Sequence, residues 1–371
     1  MFVPRFRPDI AALARYKAGR PISGVARSYG FEPADVVKLA SNENPLPPFP
    51  EVEKAMAEAL TEVNRYPDDD AYQLREALSR HLDVAPNQIW VGGGSSELLR
   101  VAALAVGGPG TTAVYAWPSF VIYRLATIWA MSQAREVPLD AAFAHDLERM
   151  AETVGSDTTV VYVCNPNNPT GTVVPADDLR RFLDLVPERC LVVVDEAYHE
   201  YVTDPTYSTM LPEAVSRPNL VVTRTFSKVY GLAALRVGYA VASADLVAEL
   251  RKAQAPFTVT SIGQVAAVEA LRHPGRVAER VEANRVGREW LEERFAELGV
   301  SFVPSQANFV FFRVGASTDR TTEAFLRHGV IVRPMADGWV RVTVGTPEEN
   351  RRFAEALEAE LPVLSRPGDL A

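Results

Sequence analysis

Leu220-Val221-Val222-Thr223-Arg224-Thr225-Phe226-Ser227-Lys228-Val229-Tyr230-Gly231-Leu232-Ala233-Ala234-Leu235-Arg236-Val237-Gly238-Tyr239 is the stretch that decides how this chain folds. Its apolar start, Leu220-Val221-Val222, reads as a buried parallel strand. The strand runs into a polar cluster holding the hydroxyls of Thr225 and Ser227, the amine of Lys228 and, eight residues beyond it, the guanidinium of Arg236. A lone lysine is usually a solvated surface charge. Here apolar and aromatic neighbours on both sides predict a desolvated ammonium, and desolvation lowers a lysine pKa toward nucleophilic use. Such a setting suits a lysine that forms a Schiff base.

Working outward, short apolar runs alternate with helical patterns from Ile89 to Ala242. The runs are Ile89-Trp90-Val91, Ala113-Val114-Tyr115-Ala116-Trp117, Val160-Val161-Tyr162-Val163, Leu191-Val192-Val193-Val194, Leu220-Val221-Val222 and Gly238-Tyr239-Ala240-Val241. Alternation of this kind predicts an α/β fold whose mostly parallel sheet is covered by helices on both faces. Ligands of such sheets gather at the carboxyl ends of the strands, and the polar clusters of this chain follow strands. From His273 to Gly299 the sequence is long, charged and helical in period. Phe309-Val310-Phe311-Phe312, Val330-Ile331-Val332 and Val340-Arg341-Val342-Thr343-Val344 then form a second strand-containing unit. The expected division is a proline-rich arm over 1–50 packing with the smaller unit, a large domain over 51–272 and a small α+β domain over 273–371.

Bulk properties narrow the function. The apolar fraction of 47% and charged fraction of 23% are those of a folded globule. A formal charge of −9 with no Lys/Arg-rich run argues against nucleic acid as the partner. Cys164 and Cys190 are too few to build a disulfide framework, which fits a reducing, cytoplasmic setting. No apolar run is long enough to span a bilayer, and the charged, proline-bearing start lacks a signal-peptide core. His81, His145, His199, His273 and His328 lack metal-ligand spacing, so no metal is expected.

Three further clusters carry chemistry, and each alone has a bland structural reading. Ile89-Trp90-Val91 opens into Gly92-Gly93-Gly94-Ser95-Ser96-Glu97, where glycines and a helix N-terminus could cradle a phosphate or merely turn the chain. Glu97 in place of a glycine breaks both the dinucleotide pattern and the hydrolase elbow, and no Gly-Lys-Ser/Thr completes a P-loop. The second cluster, Asn165-Pro166-Asn167-Asn168-Pro169-Thr170-Gly171, is a tight turn after a strand. The third is Asp195, which ends a fully apolar strand; there it either caps a helix or meets a positive group. Taken together, a phosphate cradle, an amide turn, an aspartate and a lysine with a nearby arginine supply what pyridoxal phosphate requires.

On these residues, and on Asn42-Glu43-Asn44-Pro45, Asn64-Arg65-Tyr66-Pro67-Asp68, Asp195-Glu196-Ala197-Tyr198, Ser305-Gln306-Ala307-Asn308-Phe309 and Arg341-Val342-Thr343-Val344-Gly345, the chain resembles the fold-type I aminotransferases. The likeness is to the branch of histidinol-phosphate and aromatic amino-acid aminotransferases, and it covers almost the whole length. It implies a large domain with a mostly parallel seven-stranded sheet between helices plus a smaller α+β domain. It also implies that Lys228 condenses with the cofactor aldehyde, that Asp195 faces the pyridine nitrogen, and that Asn168 and Tyr198 contact the ring hydroxyl. Phe120 would stack on the ring, where relatives more often carry tyrosine. Gly94, Ser95, Ser96, Thr225, Ser227 and Arg236 would hold the phosphate, and Tyr66 would reach the phosphate of a neighbouring subunit in a homodimer. Arg341 would grip a substrate carboxylate, with Tyr16 and Asn42 on the substrate side. Ala234 stands where glycine is frequent, a small departure.

The implied reaction is ping-pong transamination from an amino donor to a 2-oxo acid, with 2-oxoglutarate as the expected acceptor. Arg333 suits the phosphate of histidinol phosphate, whereas the short Pro334-Met335-Ala336-Asp337-Gly338-Trp339-Val340 link resembles that of the aromatic enzymes. Both donors stay open, as does a specialised biosynthetic substrate. A decarboxylase or other lyase on the same frame is the alternative. A cofactor-sensing regulator is remoter, since the first forty residues carry no helix-turn-helix pattern or basic face.

Overall fold

A computed structural model describes residues 5–14 and 19–364 of the chain. Its centre is a seven-stranded sheet in the order Ile89–Gly92, Gly238–Val241, Leu220–Thr225, Leu191–Asp195, Thr158–Cys164, Thr112–Trp117, Gln133–Pro138. Gly238–Val241 runs antiparallel to both neighbours, and the remaining pairs are parallel. Six of these strands are the apolar runs read from the sequence. The seventh, Gln133–Pro138, lies at the sheet edge and buries only Val137, so it never needed an apolar run.

Alternation along the strands splits their side chains between two cores. Val192, Val194, Val222 and Val161 pack with Leu74, Leu78, Leu179 and Phe182 of the helices Tyr72–Leu82 and Ala176–Leu185. Leu191, Val193, Tyr115 and Tyr162 face the other way, onto Leu98, Leu99 and Tyr123 of the helices Ser95–Val106 and Val121–Trp129. Burial on both faces explains why the central strands read as unbroken apolar runs.

A second, four-stranded antiparallel sheet follows, in the order Arg333–Pro334, Trp339–Thr343, Phe309–Arg313, Phe302–Val303. Helices Pro274–Glu297, Thr318–Arg327 and Pro347–Leu364 accompany it. Its core of valines and leucines holds an aromatic cluster: Phe295 stacks on Phe312 at 4.7 Å, and Phe353 packs on Phe312 at 5.7 Å and on Phe325 at 5.6 Å. From the N-terminal part of the chain, Val37–Lys38 pairs in parallel with Val330–Ile331 and its neighbour Leu39 joins this core.

Phe353 is fully buried in that cluster. Replacing it with alanine should cost about 3–5 kcal/mol, the range for a large aromatic leaving a cavity, read as an earlier denaturant midpoint for loss of helical circular dichroism.

Candidate active site

The strand ends converge on a cavity of about 590 Å³ bounded by Ser41, Asn42, Ser95, Ser96, Phe120, Asn168, Asp195, Tyr198, Thr225, Ser227, Lys228, Arg236, Arg333 and Arg341, among others. The parallel strands deliver Asn168, Asp195, Thr225 and Lys228 to one edge of the large sheet, and the N-terminal segment with Ser41 and Asn42 and the second sheet with Arg333 and Arg341 close the space from the other side.

Lys228 follows the Leu220–Thr225 strand, and its Nζ donates to the carbonyl oxygens of Asn42 at 3.1 Å and Ser41 at 3.4 Å. Loss of solvent, with the charges of Arg341 and Arg236 adding to it, lowers its pKa to about 7, against opposition from Glu43 and Asp195. The expectation of a desolvated amine therefore holds. Asn42 organises the surroundings: it adopts φ +54°, its Nδ2 donates to Tyr198 Oη at 2.9 Å, and its carbonyl also accepts from Asn308 Nδ2 at 3.1 Å.

Asp195 lies in register with Cys164 on one side and Thr223 on the other. Burial pushes its pKa up to about 6, while hydrogen bonds from Tyr123 and Thr223, the Ala197 backbone and the charge of Lys228 pull it down. It is not a helix cap. The next carboxylate, Glu196, pairs with Arg224 at 2.8 Å, both buried. That ion pair joins the segments carrying Asp195 and Lys228.

The phosphate-cradle expectation can be tested on the glycine loop. Gly94 has φ +80°, and a Cβ there would come within 2.5 Å of the Arg236 guanidinium. Only glycine lets the arginine lie across the start of the Ser95–Val106 helix. Arg236 Nη1 reaches Ser227 Oγ at 3.4 Å, and Thr225 Oγ1 bonds Ser227 Oγ at 2.9 Å. The Arg236 guanidinium, the hydroxyl-bearing Ser95, Ser96, Thr225 and Ser227, and a helix N-terminus line the cavity together and form the donor set a phosphate needs. Glu97, which broke the recognised glycine motifs, accepts from the Gly93 N–H and so stiffens the loop.

Across the cavity Arg341 donates to Asn168 Oδ1 and to the Ala40 carbonyl at 2.8 Å, and Arg333 stands opposite it in the strand register. Phe120 lines the wall edge-on to Tyr123 at 5.8 Å. Tyr66 is not brought to the cavity: it is 83% exposed and stacks on Phe257. Tyr16 lies outside the described residues. The tight turn after Cys164 is held by Asn167, whose Oδ1 accepts from Ser119 at 2.7 Å and whose Nδ2 donates to Thr170 at 2.9 Å. Trp117, Arg124, Glu43 and Met335 also line the cavity, and the sequence reading did not single them out. Nor did it find Tyr123, which sits in an apolar helix and is indistinguishable from core until its hydroxyl is seen on Asp195.

The family described as aminotransferase class I and II matches residues 34–357. The chain belongs to that family. It is 46% identical over 365 residues to histidinol-phosphate aminotransferase 1 of Cupriavidus pinatubonensis, covering 96% of each chain. The corresponding Nitrosococcus oceani protein is 44% identical over 95% of each. Among solved structures, the Sinorhizobium meliloti histidinol-phosphate aminotransferase in complex with pyridoxal-5'-phosphate is similar at a TM-score of 0.89 and 27% identity, covering 98% of this chain and 99% of the other. Thermus thermophilus aspartate aminotransferase with maleate shares the fold at a TM-score of 0.82 and 24% identity, over 96% of this chain and 100% of that one. The chain is accordingly a pyridoxal-phosphate aminotransferase of fold type I, and the donor set of the cavity fits that cofactor. Both cysteines are free and buried. Among the described residues no helix is long and apolar enough to cross a membrane, and no group of three or more His, Cys, Asp or Glu could hold a metal ion.

An amine with a pKa of about 7 is mostly neutral above that pH, whereas an ordinary lysine waits until about 10.5. Uptake of pyridoxal phosphate by cofactor-free protein, followed by absorbance, should accelerate as pH rises through about 7 and then level off. Lys228→Ala should leave the fold intact, abolish that spectral change and abolish turnover.

Proposed function

We propose that this aminotransferase takes the amino group of histidinol phosphate and passes it to 2-oxoglutarate in a ping-pong cycle. The observation that carries the reading is the pair of arginines, Arg333 and Arg341, placed opposite each other in the strand register on the wall of the Lys228 cavity. Two neighbouring guanidiniums suit a phosphate monoester in one half of the cycle and the carboxylates of the oxo acid in the other. Relatives more than 40% identical that are named histidinol-phosphate aminotransferases support the same donor.

When bound, pyridoxal phosphate supplies the electron sink that acidifies the α-proton of an amino donor. Lys228 would hold the cofactor through its amine and would carry the α-proton as general base and then acid, for which a pKa of about 7 suits both directions. Asp195 would face the pyridine nitrogen and favour its protonated form. Tyr198 and Asn168 would meet the ring hydroxyl, and Phe120 would cover the ring. Gly94, Ser95, Ser96, Thr225, Ser227 and Arg236 would hold the phosphate. Asn42, in contact with both Tyr198 and Lys228, belongs to the substrate side.

Tyr66, exposed and absent from its own chain's cavity lining, supports a homodimer in which it completes the partner's phosphate site. The reading also keeps the chain division at residue 273, with the N-terminal arm packing with the smaller unit, a division that the pairing of Val37–Lys38 with Val330–Ile331 supports.

Trp117, Phe120 and Met335 on the cavity wall favour a second reading, an aromatic amino acid as donor. An amino-donor screen with 2-oxoglutarate separates them: histidinol phosphate should give the highest kcat/KM, and preference for phenylalanine or tyrosine would reverse the order. Release of carbon dioxide in place of a keto product would point to a lyase. Arg333→Met should raise KM for histidinol phosphate by about 10- to 100-fold, the worth of one charge-assisted hydrogen bond, with little effect on phenylalanine.

A further inference from the structure

We infer that Tyr123 and Thr223 are positioning residues that fix the Asp195 carboxylate in place for the pyridine nitrogen of the cofactor. The inference rests on the reading that Asp195 meets that nitrogen. Each carboxylate oxygen has its own hydroxyl: Tyr123 Oη donates to Oδ2 at 3.0 Å, and Thr223 Oγ1 donates to Oδ1 at 3.1 Å. The donors come from different layers, Thr223 from the adjacent strand in register and Tyr123 from the Val121–Trp129 helix. The carboxylate is therefore restrained in both rotation and tilt. One hydroxyl per oxygen, with the Ala197 backbone as a third donor, still leaves the carboxylate acceptor capacity for a ring N–H.

Tyr123 is itself held rigidly. It is fully buried, stacks on Tyr162 at 4.8 Å with 14° between planes, and meets Phe120 edge-on at 5.8 Å. Such packing exceeds what a spectator tyrosine needs, because a buried hydroxyl must find an acceptor, and here the acceptor is Asp195. The groups facing the carboxylate are Tyr123, Thr223, Cys164, Tyr198 and Lys228. Burial drives Tyr123, Cys164 and Tyr198 toward their neutral forms, leaving Lys228 as the cationic neighbour. An aspartate so buried tends to become a neutral acid, and a neutral acid cannot hold a protonated pyridine. The two hydroxyls oppose that drift by hydrogen-bonding the ionised form.

The test uses holoenzyme loaded with pyridoxal phosphate labelled with nitrogen-15 in the ring. The nitrogen chemical shift at pH 7.5, roughly a unit and a half above the buried aspartate's own midpoint of about 6, reports ring protonation directly. In Tyr123→Phe the signal should move toward that of neutral pyridine, and the cofactor dissociation constant should rise by about 10-fold, the effect of one lost hydrogen bond to a charged group. Thr223→Val should act the same way and Thr223→Ser should restore the parent signal. Tyr162→Phe removes an equally buried hydroxyl from the same aromatic stack, one that bonds the Leu99 carbonyl, and should leave the nitrogen signal in place. If Tyr123→Phe keeps the parent signal and affinity, or Tyr162→Phe shifts them as much, the inference is overturned. Asp195→Asn separates the two levels: a nitrogen signal indifferent to it defeats the underlying reading of Asp195, whereas a signal that responds to Asp195→Asn but not to Tyr123→Phe defeats only the positioning role.

Discussion

Two groups that water would keep charged and apart, the Lys228 amine and the Asp195 carboxylate, line one shielded cavity, and the rest of the fold serves that constraint. Desolvation drives the lysine down and the aspartate up, each toward its neutral form, while their mutual attraction favours both charges. The outcome is an amine that titrates near neutrality beside an acid that titrates only slightly below it. Neither condition arises on a protein surface. Both require a sheet buried on two faces, so that strand ends open into space shielded by helices.

The sheet meets this need through register. Cys164, Asp195 and Thr223 are neighbours across three parallel strands, so the carboxylate gets a hydroxyl on one flank as a consequence of pairing alone. The same alternation sends Thr223 to Asp195 and Thr225 to the cavity and turns Arg224 away to the buried Glu196 pair. Breaking such a pair would leave an uncompensated charge, so it ties the Asp195 and Lys228 segments together firmly. The glycine loop contributes differently: its value is the room it leaves for Arg236, a residue itself at φ +54°.

Much of this was legible from the chain. Lys228, Asp195, the Ser95-Ser96 cradle, Thr225, Ser227 and Arg236 all follow strands that announce themselves as apolar runs, and the structure gathers them in one cavity. What stayed hidden had a physical reason in each case. Gln133–Pro138 is an edge strand with a polar face, so it lacks the signature of its neighbours. Glu97 looked like a defect in a glycine motif but stiffens the loop through the Gly93 N–H. Tyr123 reads as core because it packs against the rings of Tyr115, Phe120 and Tyr162, and only its hydroxyl meets Asp195.

By itself the sequence determined the layer architecture and which polar side chains stand at the strand ends, because burial of a parallel strand is imposed by local composition. Tertiary structure alone decided which groups meet. Asn42 reaches Lys228 and Tyr198, and Arg341 reaches Asn168, across separations that no pattern along the chain encodes. These contacts depend on how two sheets and an N-terminal strand are set against one another, a matter of packing between distant segments whose geometry composition does not carry.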